Sequence, residues 1–216
     1  MIGYFIILTI VAYFLGAVPF GLLIARAQGI DLRKVGSGNI GATNVMRTLG
    51  KKLGYTCFAL DVAKGLIPML LVPAFGLTDT NPTTGQLSLW LGVSCAAVLG
   101  HVFPIYLGFK GGKGVATSLG VILGLWPYYT ICGLITFAVW IIVFLISRYV
   151  SLASILAAII FPIALTILTL AVSNWQFAQL WPLYIVAILM PLLVIARHAE
   201  NIKRLLEGSE NKIARN

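Results

Sequence analysis

Charge is what this sequence most lacks: of 216 residues, 10% are Asp, Glu, Lys or Arg, and six in all are acidic. A soluble domain carries about 25%, so water cannot be the solvent for most of this chain. Histidine is scarce, with two residues, and the three cysteines, Cys57, Cys95 and Cys132, stand far apart inside apolar runs. They lack the paired spacing of a zinc or redox motif and read as small core residues. Among Asp31, Asp61, Glu200, Glu207 and Glu210 no pair has the pattern of a metal cage or of a two-carboxylate acid and base set. Metal and cofactor are therefore not expected. The first run, MIGYFIILTIVAYFLGAVPFGLLIA, has no basic segment before it and stays apolar too long for a cleaved leader, so it reads as a retained crossing.

What is present is hydrocarbon, at 60% of residues. A crossing helix needs about 20 apolar residues. Candidate spans fall at about 3–25, 54–75, 87–107, 114–127, 129–147, 152–172 and 181–196. The expected fold is an all-α integral membrane protein of seven transmembrane helices, one polytopic domain over 1–216 with no room for a soluble one. The fourth span is short for a full crossing. Arg26, Arg33, Lys34, Arg47, Lys51 and Lys52 fall in the first connection, Lys110 and Lys113 in the third, Arg148 in the fifth, and Arg197, Lys203, Arg204, Lys212 and Arg215 in the tail. The alternate connections carry no Lys or Arg. The positive-inside bias then puts the N-terminus outside and the C-terminus in the cytoplasm, which requires an odd number of crossings. Basic residues so distributed point to membrane sidedness and not to nucleic acid. Lys64 alone escapes the loops; it follows Asp61 by three residues, so the two can pair on one helix face.

The unusual polar residues gather in the basic connections, all on the expected cytoplasmic side: VGSGNIGATNVMR at 35–47, GHVFPIYLGFKGGKG at 100–114, RYVSLAS at 148–154 and RHAENIKRL at 197–205. Glycine-rich backbone can turn its amides toward an anion, and Arg47 and Lys113 add full charges. Lys113 stands just before the fourth span, whose N-terminus also favours negative charge. The expected ligand is a phosphate. Two familiar motifs are imitated and fail. Gly36, Gly38 and Gly41 satisfy GxGxxG, but a membrane helix precedes them where the dinucleotide fingerprint needs a strand. GFKGGKG approaches a Walker A loop, but Leu107 and Gly114 occupy its two decisive places.

Several residues also have plain structural readings. Most glycines of membrane helices serve close packing, His101 reads as a hydrogen-bonded structural residue, and Ser151 could be the N-cap of the SLAS helix. His198 and Asn201, three apart, share a helix face. Lys34, Lys51 and Lys52 read as solvated or headgroup-contacting charges.

The blocks GSGNIGATNVMR, GHVFPIYLGFKGGKGVAT, RYVSLAS and RHAENIKRLLEGSENK together resemble the bacterial acyl-phosphate:glycerol-3-phosphate acyltransferases, the PlsY family, through nearly the whole chain and in order. The resemblance implies a seven-helix enzyme of the bacterial cytoplasmic (inner) membrane with its active site on the cytoplasmic face. It would move a fatty acyl group from acyl phosphate to the 1-hydroxyl of sn-glycerol 3-phosphate, giving lysophosphatidic acid and phosphate. The His-x4-Asp dyad of soluble-donor acyltransferases is absent after both histidines, which agrees. Carried over by position, Ser37, Arg47, Lys113, Ser151, His198 and Asn201 are implied catalytic residues, and Asn39, Thr43, Asn44, Gly111, Gly112 and Gly114 are implied substrate-binding ones.

A mixed anhydride is already activated, so the demand on the protein is to orient two anions and offset their charge. In this reading Lys113 and the GGKG amides hold the donor phosphate. Arg47, Ser37 and Asn201 hold glycerol 3-phosphate, and Ser151 and His198 place or polarise the reacting groups. The acyl tail lies among the helices, and the acceptor's own phosphate takes the hydroxyl proton. Two other classes compete. An anion transporter would place its site near the midplane between inverted repeats, and this sequence shows no repeats. A headgroup-binding scaffold would explain the charge but not Ser37, Asn39 and Asn44 among the glycines.

Overall fold

Proline sets the first departure from a simple row of spans. The computed structural model of the protein describes residues 1–213, so Arg215, counted above among the tail charges, lies outside the described residues. Its regular elements are all helical. The first apolar run divides into α1 (Ile2–Ala17) and α2 (Phe20–Arg26), with Val18 extended at φ −61° and ψ 117°. A residue before proline is pushed out of the helical region, and Pro19 has no N–H to continue the ladder. The single expected span at 3–25 is therefore two helices. Past a short helical turn at Leu32–Lys34, α3 (Ala42–Leu49) is amphipathic. Its Val45 is buried with Leu22, Ala25, Leu32 and Cys57 in a small apolar cluster that fastens the first connection to its flanking helices.

α4 (Lys51–Ala74) starts three residues earlier than expected, with Lys51 and Lys52 exposed in its first turn. Long lysine stems reach from a helix end back to the polar interface. Within α4, Pro73 cannot donate to the carbonyl of Met69. Trp90 of α5 (Thr84–Val102) supplies the missing donor, Nε1 to O at 3.2 Å. A backbone group left unmet in hydrocarbon is costly, and the indole removes that cost. α5 opens with a capping box in which Thr83 and Gln86 satisfy each other's backbone N–H.

α6 (Val115–Gly124) has 10 residues, about 15 Å of helix against a hydrocarbon core of about 30 Å. The expected fourth span, 114–127, is thus too short to cross alone. It packs tightly on α4, where side chains at Gly65 and Gly120 would collide with the carbonyls of Thr117 and Val62. Among the described residues, six other stretches are long and apolar enough to cross: Ile2–Arg26 taken together, Lys51–Ala74, Thr84–Leu107, Tyr128–Ser147, Val150–Ala171 and Phe177–Ala196.

The chain forms two compact units, Met1–Leu125 and a second from Trp126 onward. The second contains α7 (Tyr128–Ser147), α8 (Val150–Ala171), α9 (Phe177–Ala196) and α10 (Ala199–Leu206). Tyr129 on α7 donates its hydroxyl to Leu183 O on α9 at 2.6 Å. Ile146 and Leu170 are 81% and 84% exposed, the inside-out pattern expected where lipid replaces water as the outer solvent.

Candidate functional site

In the first unit, the segment 35–47 is wrapped around one side chain. Asn44 lies 1% exposed in the first turn of α3. Its Nδ2 lies 2.9 Å from Asn39 O, 3.1 Å from Val35 O and 3.2 Å from Leu32 O, while its Oδ1 accepts the Ser37 N–H at 2.9 Å. Asn39 in turn accepts the Gly41 N–H at 2.9 Å. Asn44, implied by resemblance to touch substrate, is thus fully engaged in shaping the loop. Ser37 is left exposed at its tip, and Thr43 and Arg47 are half-buried on α3. The loop's one carboxylate is masked. Arg33 grips Asp31 through two side-chain hydrogen bonds at 2.9 and 3.0 Å and a backbone one at 3.2 Å, holding its carboxyl at about 2.

The second loop of this unit reverses the chain between α5 and α6. Gly108 and Phe109 take the left-handed region at φ 58° and 64°. The Gly111 N–H then donates to Val102 O and the Gly112 N–H to His101 O, both at 3.1 Å. These two amides close the end of α5; they do not turn outward as an anion-binding nest, contrary to the expectation for the GGKG segment. Gly112 is required for a different reason. A Cβ there would run into Nε2 of His101, so the loop lies directly on the imidazole. Gly114, at φ 85°, is the N-cap of α6 and leaves Lys113 half-buried at the start of that helix.

Beneath these loops lies a polar cluster that sequence reasoning only half anticipated. Asp61 and Lys64 pair at 2.8 Å as expected, with side chains 3% and 2% exposed. Lys64 also donates to Val18 O at the α1–α2 break, 2.8 Å away, and His101 Nδ1 stands 3.7 Å from Asp61 Oδ1.

In the second unit, Ser151 is not a cap. Tyr149 holds the N-cap position of α8, and Ser151, 5% exposed in its first turn, donates to Glu210 Oε1 at 2.8 Å. Asn201 Nδ2 donates to the same oxygen at 2.7 Å, and Arg204 Nε donates to Oε2 at 2.8 Å. Burial pushes the Glu210 carboxyl up, but the hydrogen bonds from Arg204, Asn201 and Ser151 outweigh it and hold the group below its usual range. Glu210 reaches this place because Gly208, at φ 71°, turns the chain back after α10. Sequence reasoning missed it. The signal available was a carboxylate nine residues from Asn201 inside the last polar block. His198 is the N-cap residue of α10, 3% exposed, with Nδ1 2.7 Å from Val194 O. A carbonyl can only accept, so Nδ1 carries the proton and a neutral ring has its basic lone pair on Nε2. The second unit therefore brings Ser151 and Asn201 together on one carboxylate. Among the described residues no three His, Cys, Asp or Glu side chains group as a metal site.

A family model described as glycerol-3-phosphate acyltransferase matches residues 6–208. The glycerol-3-phosphate acyltransferase of Aquifex aeolicus is 47% identical over 208 residues, covering 95% of this chain and 97% of its own. That of Geobacter sulfurreducens is 45% identical over 209 residues, covering 96% of each. Two crystal structures of PlsY (YgiH), an integral membrane glycerol 3-phosphate acyltransferase, superpose on the chain. The glycerol 3-phosphate form gives a TM-score of 0.82 at 44% identity, and the lysophosphatidic acid form 0.79 at 43%; each covers 98% of this chain and 96% of its own.

Proposed function

Since the chain belongs to the glycerol-3-phosphate acyltransferase family, we propose that it acylates the 1-hydroxyl of sn-glycerol 3-phosphate, with acyl phosphate as donor. The products are lysophosphatidic acid and inorganic phosphate. The acceptor hydroxyl oxygen attacks the acyl carbon, the bond from that carbon to the bridging oxygen breaks, and phosphate departs with the electron pair. The hydroxyl proton passes to the acceptor's own phosphate. No covalent enzyme intermediate forms.

The observation that carries this reading is the pairing, within one unit, of two preformed loops that each present a cation and small polar groups. Ser37 stands at the tip of a loop set by Asn44, with Arg47 on the helix that follows. Lys113 stands at the N-terminus of α6, where the helix dipole adds to its charge. With the Gly111 and Gly112 amides engaged by α5, Lys113 and the α6 terminus are the groups we assign to the donor phosphate. Arg47 and Ser37 are assigned to glycerol 3-phosphate. Asn39 and Thr43 shape or line the first loop, and Gly111, Gly112 and Gly114 the second. In the second unit Glu210 orients Ser151 and Asn201, which the resemblance, together with His198, implies to be catalytic. Fixing two anions against fixed charges supplies orientation and electrostatic stabilisation together.

The charge of the connections supports seven crossings, with α6 as a short seventh embedded in protein, the N-terminus outside and the active site facing the cytoplasm of a bacterial inner membrane. Purified protein in lipid, given acyl phosphate, should release inorganic phosphate only when glycerol 3-phosphate is added. Release independent of the acceptor, or glycerol 3-phosphate uptake into vesicles without release, would favour an esterase or a transporter instead.

A further inference from the structure

We infer that Asp61, Lys64 and His101 form a buried positioning strut that fixes both phosphate-handling loops of the first unit; the inference rests on the function proposed above. Two full charges deep in a spanning helix are expensive, and an apolar pair of the same volume is often as stable or more so. Stability of α4 alone does not account for them. What they join does. Lys64 Nζ, 2.8 Å from Asp61, reaches Val18 O, also at 2.8 Å, at the Pro19 break, and the Phe20 ring lies 5.6 Å from the ammonium. Asp61 Oδ1 faces His101 Nδ1 at 3.7 Å, an electrostatic contact longer than a hydrogen bond. His101 then bears the second loop twice, through its carbonyl to the Gly112 N–H and through its ring, against which Gly112 lies.

The first loop meets the same cluster. Pro19, Ile40, Asp61, Lys64, His101 and Pro104 line one narrow crevice. Ile40 belongs to the segment that carries Ser37 and Asn44, and its carbonyl lies where a side chain at Gly21 would be. The ion pair and the imidazole thus contact the helix break and the second loop, and share a crevice with Ile40 at the base of the first. None of the three residues is assigned to substrate. They act through the loops, and Ser37, Arg47 and Lys113 take their places from them. A misplacement of about 1 Å costs on the order of 100-fold in rate, so a rigid strut has a catalytic consequence without contact.

The test uses full-length protein in lipid. Asp61→Asn alone leaves a buried Lys64 charge unmatched, so the informative variants are the neutral pair Asp61→Asn with Lys64→Met, and His101→Asn, which keeps the ion pair. Both should retain a cooperative thermal transition. Their kcat should fall on the order of 10- to 100-fold, with little change in KM, the mark of lost orientation and not of lost binding. A second readout is independent of the reaction: a nitroxide attached through Lys110→Cys, with Cys95→Ala in the background and Cys57 and Cys132 left buried. Its spectrum should sharpen in either strut variant relative to the parent. A wild type inactive with acyl phosphate, alongside sharpened spectra, would defeat the proposed reaction and leave the strut standing. Unchanged spectra overturn the strut, as does activity that falls only in proportion to folded protein.

Discussion

Glu210 organises more of the second unit than any residue chosen from the sequence. Its two oxygens take Ser151, Asn201 and Arg204, and its carboxyl is held below the usual range despite burial. A lowered folded value means that the stabilisation is present above the unfolded pKa of about 4.3 and is lost as pH falls through the folded one. Glu210→Gln should therefore lower the thermal midpoint at pH 7, and the gap from wild type should narrow as the pH is taken below about 4; a gap independent of pH would show that charge is not the cause. Asn44→Ala leaves Ser37 N–H and three carbonyls without their partner. A fully buried group so stranded costs about 1–3 kcal/mol and the part-buried ones less, a loss that thermal or denaturant unfolding will register, together with loss of activity. Arg47→Ala should chiefly raise the apparent KM for glycerol 3-phosphate, and an effect confined to acyl phosphate would exchange the roles of Arg47 and Lys113. These roles were only partly readable from residue type. Asn44 and Ser37 look alike in a polar string, and only the fold distinguishes the side chain turned inward from the one turned out.

At the scale of elements, apolar run length located the long helices well because a bilayer demands about 20 residues from each. Run length could not show that Val18 and Pro19 divide the first one, since Ala17, Val18, Pro19 and Phe20 are all apolar. It also could not show that α6 stops at Gly124, since the residues on to Trp126 remain hydrophobic. The glycines of the 108–114 loop were legible as necessary but not for the reason expected. Gly112 is there to let the loop rest on His101, and its amide closes α5. In α4, Trp90→Phe removes the donor to Met69 O. It should destabilise the protein by about 1 kcal/mol with activity at low temperature nearly retained, as thermal unfolding in detergent can check.

For the whole molecule, the shortage of charge and the 60% apolar content pointed to a bilayer, and the glycine-rich loops with Arg47 and Lys113 to a phosphate, because solvation and charge need no tertiary detail. Within the first unit, cysteines introduced at Lys34 and Lys110, both exposed, should react with an impermeant thiol reagent only from the cytoplasmic side; labelling from opposite sides would break the shared site. The reaction itself has a more direct test. Glycerol 3-phosphate carrying oxygen-18 in its 1-hydroxyl, supplied with acyl phosphate to the purified protein in lipid, should give lysophosphatidic acid with the label in its ester and inorganic phosphate without it. Unlabelled ester, labelled phosphate, or no ester at all would contradict acyl transfer by attack at the acyl carbon.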